Sequence, residues 1–187
     1  MIEHRTVKTF HARRGRMSPS RKYILENILP KFVISEPNAP ADLHDEMGFN
    51  RLIVDFGCGM GDATLALLKN HPDDLVLAID VHTPGICRIA EHADNHDLSN
   101  LRIHHGDGID VLSHWLKPES VNTLYVLFPD PWPKVRHHKR RLIQEHFLQV
   151  AHRVIADGGQ LVIATDDASY ADHIIEVISD SKLFLES

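Results

Sequence analysis

The sequence predicts a doubly wound α/β domain with a mostly parallel sheet, on three observations. Five short apolar runs, RLIVDF, LVLAID, LRIHH, VNTLYVLF and QLVIAT, are each followed by a segment of helical periodicity. The runs are continuous in Val, Leu and Ile without clean polar alternation, as expected when helices cover both faces of a parallel sheet. A chain of 187 residues, 43% of them hydrophobic, has the size and composition of one globular domain.

In chain order, a basic arm comes first. Ser18 and Pro19 then read as the N-cap and first residue of a helix that carries Ile24, Leu25, Ile28, Leu29 and Phe32 at helical spacing. Residues 35–50, with Pro37, Pro40 and Gly48, read as a loop. Residues 1–50 are thus arm, helix and loop, and 51–187 the main body of a single domain. There the runs alternate with ATLALLKN, PGICRIAEHADNH, IDVLSHWL, RRLIQEHFLQVAHRVI and ASYADHIIEVIS. No internal repeat or low-complexity tract competes with this division.

Composition excludes several classes. No stretch approaches the about 18 apolar residues of a membrane span, and MIEHRTVKTFHARRGR lacks the apolar centre of a signal peptide, so a soluble, cytoplasmic protein is expected. Cys58 and Cys87 form no CxxC pair, which argues against a disulfide framework, a cysteine zinc site and redox chemistry; no metal is expected. The net charge of -6 is unevenly spread. Residues 1–34 hold 8 Lys and Arg against 2 acids, residues 134–141 (KVRHHKRR) hold 5 and no acid, and the remainder carries 7 against 24. Two basic patches on an acidic body, with His11, His137 and His138 adding titratable charge, suit a polyanion-binding face. Lys134, Lys139, Arg140 and Arg141 are the candidates for contact with it.

In a doubly wound sheet ligands bind beyond the carboxyl ends of the strands, so those residues carry the chemistry. The first strand runs into Asp55, then Gly57, Gly59 and Gly61, a GxGxG turn that permits close backbone approach by a nucleotide. Asp62 stands where dinucleotide enzymes have their third glycine, which weakens an NAD reading. Asp80 ends the second strand, where a carboxylate can accept from both ribose hydroxyls, and Asp107 follows the third, where one can accept from an adenine amino group. Acids at successive strand ends fit the cationic S-adenosylmethionine better than a pyrophosphate. For each Asp, loop or helix capping is the competing role. The fourth strand ends in Phe128, Pro129, Asp130, Pro131, Trp132, Pro133 and Lys134. Its prolines fix the backbone and hold Asp130 at the rim, while Trp132 offers a stacking surface or an apolar anchor. The fifth ends in Thr165, Asp166 and Asp167, then Tyr170; there, helix capping by Thr165 or Asp166 is the alternative to binding.

DFGCGMG, AIDVHTPG, LSNLRIHHGDGIDVL, LFPDPWPKVRHHKRRLIQ and ATDDASYADH together resemble the bacterial tRNA (guanine-N(7)-)-methyltransferases, as does the arm RRGRMSPSR. The similarity extends over essentially the whole chain, and FPDPWPK followed by HHKRR is its most specific part. The resemblance implies a Rossmann-like class I S-adenosylmethionine-dependent methyltransferase that forms N(7)-methylguanosine in tRNA, in the variable loop, with no obligate protein partner. It also implies cofactor contacts from Asp55, Asp80, Asp107 and Asp130 beside Gly57, Gly59 and Gly61, a catalytic role for Asp130, and substrate contacts from Lys134 and Asp166. Asp55 and Asp80 replace the family's frequent Glu, Cys58 a common Phe and Pro133 a common His. The family continues with a TxFE-type motif and a final strand that nothing before Ser187 resembles, so either the C-terminus is truncated or those residues were not included, and the implied sheet is without its C-terminal strand here. Guanine N7 has a free lone pair and no proton to lose, so no general base is obligatory and positioning should dominate. A noncatalytic RNA-binding module and a small-molecule methyltransferase are the rival readings; the glycine turn with its acids opposes the first, and KVRHHKRR opposes the second.

Overall fold

The computed structural model describes residues 18–185. The basic arm with His11, and residues 13–17 of the RRGRMSPSR motif, lie outside them. Five strands, β1 (Leu52–Phe56), β2 (Leu75–Ile79), β3 (Leu101–His104), β4 (Val121–Leu127) and β5 (Ile155–Ala164), form one sheet in the order β3-β2-β1-β4-β5. Every pairing is parallel. β1 and β2 are buried along their full length, which is why their sequences show no polar alternation.

The alternating side chains of the central strands feed two cores. Leu52, Val54 and Phe56 pack with Val111 and Leu112 and with residues of α6 (Glu145–Val154) and α7 (Ala168–Ser181). Ile53, Val76 and Ala78 pack on the other face with residues of α3 (Asp62–Asn70) and α4 (Thr83–Asn95). The sheet is thus covered on both sides, as the sequence predicts. Between β1 and β4 the chain's direction of progress through the sheet reverses, and a crevice forms there beyond the strand ends.

The first helix, α1 (Pro19–Tyr23), begins as expected, with the Ser18 hydroxyl accepting from Arg21 N. It is not uniform: Ile24–Ile28 widens to a π-type turn, Leu29 N donating to Ile24 O, and Leu29–Lys31 tightens to 3-10 geometry. Pro30 has no N–H to continue the α register, which accounts for the tightening. Ile24, Ile28, Leu29 and Phe32 are buried in the core of α3 and α4. The loop expected over 35–50 contains a helical turn, α2 (Leu43–Met47), which buries Leu43 and ends at Gly48 with φ +77°.

The third helical segment is α5 (Gly108–Asp110) continued by a wider turn over Val111–Trp115. The helix expected from Arg140 starts at Glu145, because Val135–Arg140 forms a 3-10 segment. β5 starts directly after α6: Ile155 pairs with Val121, the chain bulges over Ala156–Gly159 with Gly158 at φ +72°, and pairing resumes at Gln160 with Thr123. Among the described residues β5 pairs with β4 alone and lies at one edge of the sheet.

Candidate functional site

The glycine turn is held from three directions. Gly57, Gly59 and Gly61 have φ of +76°, +55° and +84°, a region open to glycine at little cost. Gly57 N and Cys58 N donate to Ile79 O at 2.8 and 3.2 Å, tying the turn to the end of β2. Asp80 accepts from Gly59 N and His82 N, both at 2.7 Å, one bond to each carboxylate oxygen. Arg88 on α4 binds Asp62 at 2.8 Å and Met60 O at 2.6 Å, and so clamps the turn from above.

Two of these supports were not singled out by sequence reasoning, Arg88 and the close packing of α4. A Cβ on Gly85 would lie 1.6 Å from Gly59 O, so the helix backbone rests directly on the turn. A glycine inside a helical pattern, as in TPGICRIA, is the signal that could have found it. Gly108 is the same kind of feature, its Cβ position only 2.4 Å from Phe56 Cε2.

Asp55 is buried beneath the turn, where Thr64 Oγ1 of α3 donates to its carboxylate at 2.6 Å. Burial pushes its pKa up, against the hydrogen bond that lowers it, with the Asp80 charge adding a further rise. Burial also pushes the neighbouring Cys58 thiol far up, so it offers no thiolate nucleophile.

Above the turn a cleft of about 230 Å³ opens at the crevice between β1 and β4. Gly57, Asp80, Asp107, Phe128, Asp130, Trp132 and Arg140 are among its lining residues. Asp55, Lys134 and Asp166 are not. A Cβ on Gly57 would meet nothing within 4 Å, so the glycine leaves the cleft floor open. Asp107 is exposed and caps α5 through one oxygen, Oδ1, which accepts from Ile109 N at 3.0 Å. Capping and facing the cleft, the two readings of this residue, are therefore compatible.

The opposite wall is the segment after β4. Phe128 and Trp132 both lie at positive φ, +52° and +44°, and Asp130 between them is exposed. Such strain persists only where surrounding bonds impose it. Here Phe128 N donates to Ala164 O at 2.7 Å, and Arg141 Nε donates to Pro131 O at 2.9 Å. Arg141, expected on the surface, is 3% exposed; its guanidinium also donates to Ser169 Oγ at 3.0 Å and lies over the Tyr170 ring. It is a clamp between the segment after β4 and the start of α7. The Trp132 ring has Arg140 over it at 5.0 Å and the His137 edge at 5.8 Å. Partial desolvation and then the surrounding cations, Arg140 first, hold His137 below the ordinary histidine value.

Lys134 is exposed at the start of the 3-10 segment, and Asp166 is exposed just past β5, at the same edge of the sheet but outside the cleft. α7 is capped by Asp167, which accepts from Tyr170 N at 2.8 Å, and Thr165 Oγ1 accepts from Asp167 N at 3.2 Å. Asp166 does not cap the helix.

Residues 50–186 match a family described as "Putative methyltransferase". The tRNA (guanine-N(7)-)-methyltransferase of Nitrosomonas eutropha is 37% identical over 188 residues, which cover 100% of this chain and 84% of the relative. The enzyme of the same name from Streptomyces avermitilis is 39% identical over 176 residues, 94% of this chain and 61% of the relative. The chain belongs to the tRNA (guanine-N(7)-)-methyltransferase family. The methyltransferase fold is shared more widely. The 16S rRNA methyltransferase KamB superposes with a TM-score of 0.55 at 16% identity, over 80% of this chain and 78% of its own. Within the methyltransferase body, the described residues contain no helix long and apolar enough to cross a membrane.

Proposed function

We propose that this methyltransferase moves a methyl group from S-adenosylmethionine to N7 of a guanosine in tRNA, in the variable loop, in the cytoplasm. The observation that carries this reading is the cleft itself: acid-lined on the β2–β3 side, rimmed by Asp130 on the β4 side, and continuous in sequence with a basic stretch.

The donor set suits the cofactor. A sulfonium and an ammonium beside carboxylates are favoured where a pyrophosphate would be repelled. Each oxygen of Asp80 has one lone pair engaged by backbone, which leaves acceptor capacity for ribose hydroxyls. One oxygen of Asp107 caps α5, and the other is free for an adenine amino group. Gly57 admits close approach, while Gly59 and Gly61 shape the turn. Asp55 acts from beneath: its ionised form, penalised by burial, is favoured when a cation sits above it. When bound, S-adenosylmethionine supplies an electrophilic methyl carbon.

The rest falls to positioning. Asp130 orients the acceptor guanine or the cofactor at the rim, and needs no proton transfer because N7 attacks through a free lone pair. Lys134 and Asp166 reach the tRNA from the same edge, outside the cleft. Holding nucleophile and carbon in line at about 3 to 3.5 Å supplies much of the acceleration. The target must be an accessible base, which a loop nucleotide provides. The test is transfer of labelled methyl to mixed tRNA followed by nucleoside analysis: label in N(7)-methylguanosine supports the reading. Label elsewhere, or S-adenosylmethionine binding without transfer, sinks it.

A further inference from the structure

We propose that Phe128, not Trp132, is the stacking platform for the acceptor guanine. The inference rests on the reading of function above and concerns how the acceptor base is held.

Four observations converge on this ring. Phe128 sits at φ +52°, a conformation that disfavours any L side chain. The residue is 64% exposed, although it borders the cleft beside Asp130. It belongs to neither hydrophobic core, and among the described residues it has no aromatic partner and no cation over it. A phenyl group this exposed on a strained backbone gives the fold little burial in return. Trp132, the other aromatic of the segment, is already engaged by Arg140 and His137, and its Nε1 is closed off from solvent.

The occupant follows from the position. The donor-facing acids Asp80 and Asp107 line the cleft on the β2–β3 side, whereas Phe128 and Asp130 lie past β4. A flat purine entering from the β4 side meets the open face of Phe128 first. Stacking on an aromatic face is tolerant of base identity, so Phe128 supplies affinity and orientation rather than choice of guanine.

The experiment compares Phe128→Tyr, Phe128→Leu and Phe128→Gly with the wild type. Three quantities are measured: kcat/KM for tRNA, the dissociation constant for S-adenosylmethionine, and the thermal midpoint. Tyr should retain most of the activity. Leu and Gly should reduce kcat/KM roughly 5- to 150-fold, the range that one base stack spans. S-adenosylmethionine affinity should not change in any variant. Glycine adopts positive φ freely, so Phe128→Gly should melt no lower than the wild type. A midpoint lower by more than about 5 °C would mean that the ring serves the fold. Equal activity of Leu and Phe beside an active wild type would overturn the stacking role, and weakened S-adenosylmethionine binding would assign the ring to the donor. A wild type that does not methylate tRNA at all would instead fail the proposed function, and this inference with it.

Discussion

Asp80 joins two tasks in one carboxylate: it holds the glycine turn through Gly59 N and lies in the cleft wall. Asp80→Ala therefore removes charge-assisted bonds of about 1.5 to 3 kcal/mol each, and S-adenosylmethionine affinity should fall at least tenfold by calorimetry. Unchanged affinity in a folded variant would place Asp80 outside the site. Asp55 allows a second test. Its folded pKa is raised above the ordinary 3.8, so the native state holds the proton more tightly than the unfolded chain. That contribution is complete below 3.8 and is lost as pH rises through the folded value. Asp55→Asn keeps an acceptor for Thr64 and removes the titration. Denaturant titrations should show the wild type losing stability relative to the variant from acid toward neutral pH; a constant difference would contradict the burial. The positions of both acids were readable from the strand-end pattern. That Asp55 is sealed under α3 was not, since its partner Thr64 carries no sequence signal as a donor.

At the scale of elements, strands and major helices follow from apolar runs and periodicity, which is why β1 to β5 were all anticipated. The misses share a cause: local backbone geometry set by few residues. The wider turns at Ile24–Ile28 and Val111–Trp115, the short α2 and the delayed start of α6 depend on hydrogen-bond register and single caps, not on periodicity. α4 is the element whose placement matters most to the site, because Gly85 sets its distance from the turn. Gly85→Ala forces a Cβ into Gly59 O and must shift backbone against backbone. The variant should be less stable by about 1 to 3 kcal/mol in denaturant titrations and bind S-adenosylmethionine more weakly. Wild-type stability and affinity would show that α4 can move away freely.

At the scale of the whole molecule, the basic surface contributed by residues 134–141 is narrower than the sequence suggested. Residues 134–141 contain five Lys and Arg, and Arg141 is turned inward, so Lys134, Arg136, Lys139 and Arg140 remain. Spacing alone could not separate Arg141 from Arg140; the separation depends on Pro131 O and Ser169, which the fold brings together. Neutralising Lys139 and Arg140 should weaken tRNA binding and reduce the logarithmic salt slope by about 0.7 to 0.9 for each phosphate that is no longer neutralised. Arg141→Gln should leave that slope intact and lower the stability by about 2 kcal/mol, since buried carbonyls are left without their donor. Equal salt slopes for the Lys139/Arg140 variant and the wild type would show that these side chains do not reach the tRNA.

The strand order has a consequence for how this enzyme could change its target. The cleft residues from the segments after β1, β2 and β3, Gly57, Asp80 and Asp107 among them, lie on one side of the β1/β4 junction. The other lining residues lie on the far side of that junction, most of them in the unbroken segment from Phe128 to Arg140. On the proposed reading, exchanging that one segment, with Asp130, Arg141 and Ser169 kept, would graft a new recognition surface beside an unchanged Asp80 and Asp107. On that reading, acceptor preference is a replaceable cassette.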